Sequence, residues 1–281
     1  MGFVFSAFAD ESDEKLTGQI DALIRNGYTH LEIRNLDGKN VSDLSVNEAR
    51  EISKILSDSE LKVWSIGSPI GKIEITDDFE SHLDKYKQTL EIANILGADR
   101  IRLFSFFMPR GENPENYKNL VIDRMGAFSE IAKEYSVIPC HENEKGIYGD
   151  IATRCAEIHK ALPYIKAVFD PANFIQAGQD TLGAFELLGR YVDYMHIKDA
   201  LKNGEVVPAG KGVGNVPQLI GKYKNSGGRV LTLEPHLYEF VGLKNLEREG
   251  EESIVGGCSF ETPKEAFDAA VNALKGIVNT L

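Results

Sequence analysis

Lys166–Lys198 reads KAVFDPANFIQAGQDTLGAFELLGRYVDYMHIK. It opens on a short apolar run ending in an acid, Lys166–Asp170, and closes on a second, Asp193–Ile197, that carries His196 near its end. Between them, Thr181–Leu188 has helical character. Two strand-like runs separated by a helix form a βαβ unit, and such a unit requires parallel strands.

The same alternation extends in both directions. Upstream lie Phe3–Phe8, His30–Arg34, Lys62–Gly67, Arg100–Phe104 and Val137–Glu142; downstream lies Val230–Glu234. Amphipathic stretches fill the intervals. Glu14–Asn26 places Leu16, Ile20, Leu23 and Ile24 on one face, with Gly27 as its C-terminal stop. Phe79–Leu96 repeats the pattern and ends at Gly97. Asn116–Tyr135, Asp150–Leu162, Pro217–Asn225 and Pro263–Leu281 are the remaining helical candidates, and Pro263 suits a first helical turn. Eight βα units in a chain of 281 residues predict an α/β fold, a (β/α)8 TIM barrel forming one domain over residues 1–281. A doubly wound open sheet is the alternative, but it normally carries a glycine-rich fingerprint after its first strand, and FSAFADESDEK (Phe5–Lys15) has none. The longest irregular connection, Leu237–Thr262, follows the last strand; its EREGEE run reads as solvated surface.

Asp and Glu total 43 against 31 Lys and Arg, a net charge of -12. Such a chain is a poor polyanion binder, so nucleic acid is not the expected partner. No stretch is long and apolar enough to span a bilayer, and the N-terminal residues lack the basic region of a secretory signal. Cys140, Cys155 and Cys258 are odd in number and widely spaced, which fits a reducing cytoplasm better than a disulfide framework. A cytoplasmic location is expected, and a homo-oligomer is compatible with the sequence.

A barrel of this kind does its chemistry at the C-terminal ends of its strands. Strand five ends in Glu142, strand six in Asp170 and strand eight in Glu234, while strand seven carries His196. Singly, each reads most simply as a helix cap or a solvated strand end. Together, three carboxylates converging on one place repel strongly and call for a cation. Three carboxylate oxygens and one imidazole nitrogen suit a divalent metal ion, with Mn, Mg or Co preferred and Zn or Fe compatible. Glu142 and Glu234 approach from different sides of the ring. One can remove a proton beside a carbonyl and either can return it, with the metal stabilising the enediolate charge. Return to the opposite face epimerises; return to the neighbouring carbon interconverts ketose and aldose.

Around these residues, Asn173, Lys198, His236 and Arg34 are candidates for binding sugar oxygens. Alternation turns His141 away from the interior if Glu142 points inward. His82 and His159, on helical segments, are expected at the surface. Glu32 and Arg34 should share a face. The glycines of PAGKGVGN (Pro208–Asn215) either expose amides to an anion or form a simple turn. Ser68, Lys72 and Ser105 are rim candidates. Phe104–Phe107 either walls the pocket or packs against helices, and Trp64 reads as core.

HENE (His141–Glu144), FDPAN (Phe169–Asn173), MHIKD (Met195–Asp199) and LEPHL (Leu233–Leu237), in that order, together with SAFADES (Ser6–Ser12) and SIGSPIGK (Ser65–Lys72), resemble the sugar phosphate isomerase/epimerase family of the xylose-isomerase-like TIM-barrel superfamily. The resemblance covers nearly the whole chain. It implies a divalent-metal site at Glu142, Asp170, His196 and Glu234, with Glu142 and Glu234 as the acid/base pair, and a small sugar or sugar phosphate as substrate in carbohydrate metabolism. Several ketose 3-epimerases carry His where this chain has Asn173 and Arg where it has Lys202, and some relatives carry His where it has Glu144. Beside the resemblance, Asn173 and Lys202 are candidates for binding sugar oxygens in a different hydrogen-bonding pattern. A dehydratase acting on a cyclic polyol ketone would use the same base. A metal-dependent endonuclease needs a histidine-rich cluster and a basic groove, which six His and a charge of -12 oppose. A non-catalytic sugar-binding barrel would show no affinity for a divalent ion.

Overall fold

Eight short parallel strands form one sheet, hydrogen-bonded in the order β1-β8-β7-β6-β5-β4-β3-β2. They are β1 (Val4–Ala7), β2 (His30–Ile33), β3 (Lys62–Ile66), β4 (Arg100–Leu103), β5 (Ile138–Glu142), β6 (Lys166–Phe169), β7 (Val192–Ile197) and β8 (Val230–Leu233). The two ends of the sheet, β1 and β2, lie side by side, so it curls into a nearly closed (β/α)8 TIM barrel. The computed structural model describes residues 2–240, Leu243, Val255 and 260–281. The EREGEE run and Cys258 lie outside the described residues. Among the described helices none is long and apolar enough to cross a membrane.

The helices are α1 (Leu16–Arg25), α2 (Val46–Asp58), α3 (Phe79–Leu96), α4 (Lys118–Glu134), α5 (Ala152–Ala161), α6 (Pro171–Gln176), α7 (Thr181–Leu188), α8 (Val216–Asn225) and α9 (Pro263–Val278). Each predicted strand is present to within a residue of its expected ends. Two helices were not expected, α2 and the single-turn α6. The signal for α2 is local: Ser45 Oγ accepts from the Glu48 amide while the Glu48 carboxylate accepts from the Ser45 amide, a complete capping box. Ala49, Ile52 and Leu56 then bury one face. The burial of Ile52 and Leu56 contributes about 1.5–3 kcal/mol each, enough to hold a helix whose other face is polar.

Inward-pointing residues alternate with outward ones along every strand. Cys140, Val168, Tyr194 and Val230, with Val4, Trp64 and Ile138, fill the floor of the interior. One step up, Glu32, Arg102, Glu142, Asp170, His196 and Glu234 point into the same space and are buried. The larger apolar core lies between strands and helices. There Phe106, at φ 65°, stacks on Phe128 of α4, so this part of Phe104–Phe107 packs against helices.

His159 departs from expectation. It lies on the barrel-facing side of α5, 1% exposed, with its ring stacked on Tyr191 and Nδ1 3.2 Å from the Ile165 carbonyl. That carbonyl can only accept, so Nδ1 carries the proton. Burial pulls the imidazole from 6.5 down to about 4. Between those values the unfolded chain binds a proton that the folded chain refuses. This contribution is fully present above pH 6.5 and is lost as pH falls to 4. At about 1.36 kcal/mol per pH unit the loss reaches roughly 3 kcal/mol. Urea unfolding of the wild type and His159→Phe at pH 7 and pH 4.5 should show a smaller acid loss in the variant; equal losses would remove the assignment.

Candidate active site at the barrel mouth

Glu142 is the last residue of β5, and β6 and β8 lead directly into Asp170 and Glu234. His196 is the penultimate residue of β7. Strand alternation turns all four side chains inward. One ligand atom from each lies within 4.8 Å of all the others, and all four residues are buried. Asp170 serves two purposes. Its Oδ1 accepts from the Asn173 amide at 2.9 Å and caps α6, while Oδ2 faces the cluster. One oxygen thus caps the helix and the other is left beside the cluster.

Cations surround the acids. Lys198 Nζ stands 3.0 Å from Asp170 Oδ2 and 2.9 Å from Glu234 Oε2. Arg102 Nη1 is 3.2 Å from Glu142 Oε2 and 3.7 Å from Glu234 Oε1. Arg34 donates to both oxygens of Asp10, to Glu11 Oε1 at 3.0 Å and to Glu234 Oε1 at 3.2 Å. Its guanidinium is sandwiched between the rings of Phe8 and Phe240, each 4.4 Å away. His196 Nδ1 is 3.0 Å from Glu142 Oε1 and 3.4 Å from Glu234 Oε2, and its Nε2 is 3.1 Å from Glu32 Oε2.

Carboxylates outnumber the permanent cations. Burial opposes a charge on His196, but Glu142, Glu32 and Glu234 outweigh it and hold the imidazole well above its usual range. Asp10, Glu11, Glu32, Glu142, Asp170 and Glu234 face the permanent cations Arg34, Arg102 and Lys198, all of them buried. Burial pushes Glu11 up to about 8 against the pull of Arg34, and pushes Asp170 up to about 7 against the pull of Lys198. Burial opposes the charge on Lys198, but Asp170 and Glu234 outweigh it and hold the ammonium well above its usual range. Burial likewise disfavours ionised Glu234, yet Lys198, His236 and His196 keep it well below the usual carboxylate range. A divalent cation fits this donor set. Glu142 Oε2 and Asp170 Oδ2 are buried and accept no aligned hydrogen bond, although Arg102 and Lys198 stand close to them as charges. Each keeps acceptor capacity that no hydrogen bond of the chain uses.

The other expected residues divide. Asn173 Nδ2 donates to Glu142 Oε1 at 3.2 Å and to the Asn143 carbonyl at 2.9 Å. His236, at φ 46°, directs Nε2 between Glu11 Oε1 (3.4 Å) and Glu234 Oε1 (3.5 Å). Arg34 and Lys198 touch the cluster as given above. Lys202 does not. It is exposed in the turn of a small antiparallel ribbon, Asp199–Ala200 with Val206–Val207, which carries it toward solvent. His141 points outward and pairs with Ser105 Oγ at 3.0 Å, so Ser105 faces the helices rather than the rim. Ser68 donates to the Arg102 carbonyl, and Lys72 pairs with Glu144 at 3.2 Å.

The glycine loop resolves against an anion site. Asp199 accepts from the amides of Ala200, Gly210, Gly212 and Gly214 at 2.9–3.1 Å. A Cβ at Gly212 would lie 2.2 Å from the Ala200 carbonyl oxygen and 2.3 Å from Asp199 Oδ1, so only glycine lets the backbone wrap so closely. The amides that a phosphate would need are already committed to this chain's own carboxylate.

Arg102, Glu32, Asp10 and Glu11 were not singled out for the cluster. For Glu32 and Arg102 the signal was present: a charged residue at an inward position of an otherwise apolar strand, as in HLEIR and RIRLF.

Fold and site together define a (β/α)8 barrel with a buried carboxylate–imidazole cluster at the C-terminal ends of its strands. The chain belongs to the xylose isomerase-like TIM barrel family, whose sequence profile matches residues 20–255. Among curated proteins no relative matches. Solved structures that share the fold include these three. The probable 3-DHS dehydratase AsbF of Bacillus anthracis, involved in petrobactin synthesis, is 16% identical with a TM-score of 0.73, covering 98% of this chain and 99% of its own. The IOLI protein with a binding zinc atom is 16% identical, with a TM-score of 0.75 and 98% of each chain covered. A D-tagatose 3-epimerase-like protein is 15% identical, with a TM-score of 0.70 and 98% of each chain covered.

Proposed function

We propose that the chain is a divalent-cation-dependent isomerase or epimerase of a sugar or closely related polyol ketone, working by carboxylate proton transfer. The observation that carries this reading is the convergence of Glu142, Asp170, His196 and Glu234, two of which keep a buried oxygen that accepts no hydrogen bond. Those four residues would hold the cation. When bound, it supplies Lewis-acid stabilisation of negative charge on substrate oxygens next to the reacting carbon.

The remaining work falls to the chain's own groups. Glu142 and Glu234 reach the site from β5 and β8, and one removes a proton from the carbon beside the carbonyl while the other can return it. Asn173 fixes Glu142 through Oε1, and Arg34 fixes Glu234 through Oε1. Lys198 and His236 flank Glu234 and offer polar contacts to substrate hydroxyls. Asn173 and Arg34 are candidates for the same task. The commitment of the Gly210, Gly212 and Gly214 amides to Asp199 favours an unphosphorylated substrate over a sugar phosphate.

Solvent-deuterium exchange across a panel of ketoses, their phosphates and cyclic polyol ketones, with added Mn, tests the reading. Label at a carbon-bound position is expected, with unphosphorylated substrates preferred. An unsaturated product with loss of water would assign a dehydratase instead. No exchange anywhere on the panel would count against enolisation.

A further inference from the structure

A line of hydrogen bonds crosses the barrel interior beneath the cluster. Ser65 Oγ on β3 lies 3.2 Å from Tyr194 Oη on β7. Tyr194 Oη donates to Glu32 Oε1 on β2 at 2.9 Å. Glu32 Oε2 receives His196 Nε2 at 3.1 Å. All four side chains are buried, none more than 1% exposed. Placing a carboxylate here costs several kcal/mol of desolvation, so apolar packing does not account for Glu32.

Two irregularities in the barrel bring these residues to one level. Between β2 and β3 the register skips Trp64, so that Glu32 pairs with Ser65. Between β6 and β7 it skips Asp193, so that Val168 pairs with Tyr194. Such bulges re-aim side chains, and they gather next to active sites.

The direction of the line is fixed by its acceptor. A carboxylate only accepts, so the hydrogen facing it must sit on His196 Nε2. Nδ1 faces carboxylates as well, Glu142 at 3.0 Å and Glu234 at 3.4 Å, so without an ion it also carries a hydrogen; a cation held by the cluster would take that hydrogen's place, while the Nε2 hydrogen stays on Glu32. A half-turn of the ring would exchange Nδ1 for a carbon and break the bond to Glu32. The edges of Phe8 and Tyr194, with centroids 5.2 and 5.6 Å from the imidazole, restrict the same rotation.

We propose that Glu32 is a positioning residue for the cation site: it holds His196 as the Nε2–H tautomer with Nδ1 directed into the cluster, and Tyr194 and Ser65 hold Glu32 in turn. The inference rests on the divalent-cation reading of the four-residue cluster. Histidine ligands oriented by a carboxylate behind them gain basicity and geometry, and loss of the partner lowers metal affinity by about 10–100-fold.

The test measures Zn and Mn affinity of the metal-free chain by chelator competition, for the wild type, Glu32→Gln and Tyr194→Phe. Glu32→Gln keeps the shape and removes the charge. A loss of about tenfold or more is expected, with about threefold for Tyr194→Phe. The Co-loaded absorption band should change in Glu32→Gln, and nitrogen NMR of the Zn-loaded wild type should show a protonated Nε2 on His196. If Glu32→Gln does not fold, Tyr194→Phe carries the comparison. Wild-type affinity and band retained by both variants, or a protonated Nδ1 in the Zn-loaded wild type, would overturn the positioning role and leave the cluster reading intact. A wild type that binds neither ion would instead remove the cluster reading on which the inference rests.

Discussion

Glu234→Gln is expected to lower carbon-bound deuterium exchange by about 10³-fold while the barrel remains folded; proton transfer by a placed side chain contributes about 10²–10⁴-fold. Glu234 is the most heavily committed member of the cluster. Oε2 faces Lys198 and His196, and Oε1 faces Arg34, Arg102 and His236. The amide keeps the shape, removes the base and withdraws one anionic ligand. The fold survives because the neighbouring cations keep other partners: Arg34 retains Asp10 and Glu11, Lys198 retains Asp170, and Arg102 retains Glu142. Circular dichroism and the melting curve check the fold, and proton NMR in D2O reads the exchange. Exchange at the wild-type rate in a folded variant would strip Glu234 of its assigned role.

His196→Ala is expected to abolish the stabilisation that a divalent ion gives the wild type. An ion bound only by the folded chain contributes about 2.7 kcal/mol at a hundredfold excess over its Kd. For a chain of this size that raises the melting temperature by several degrees. His196 offers the one nitrogen donor of the four-residue cluster, and its removal leaves three carboxylates alone. Affinity should fall by at least about 10²-fold, so the same concentration of Mn shifts the variant little. Differential scanning fluorimetry across a Mn titration reads this directly. A shift in His196→Ala equal to that of the wild type would place the ion elsewhere or nowhere.

The sequence by itself determined the eight parallel strands and the convergence of Glu142, Asp170, His196 and Glu234. The reason is local. Short apolar runs bounded by glycine-stopped helices are visible one segment at a time, and a parallel barrel brings every strand end to one face. An acid just after such a run is therefore placed in space by topology alone. The α2 helix was also local, since Ser45 and Glu48 form its cap within four residues.

Other features required the tertiary structure. Glu32 and Arg102 look like the polar half of an alternating strand, and only closure of the sheet turns that face into an interior. His159 sits in a helical segment whose exposed and buried faces depend on how α5 docks. The PAGKGVGN loop could present its amides to a ligand or to the chain itself; Asp199, eleven to fifteen residues upstream of the amides it fills, decided the matter. Lys202 left the cluster because a two-residue ribbon turned the chain outward. Periodicity and capping act within a few residues and can be read along the chain, whereas the partner of a buried charge is set by strand register and closure, which join residues more than a hundred positions apart.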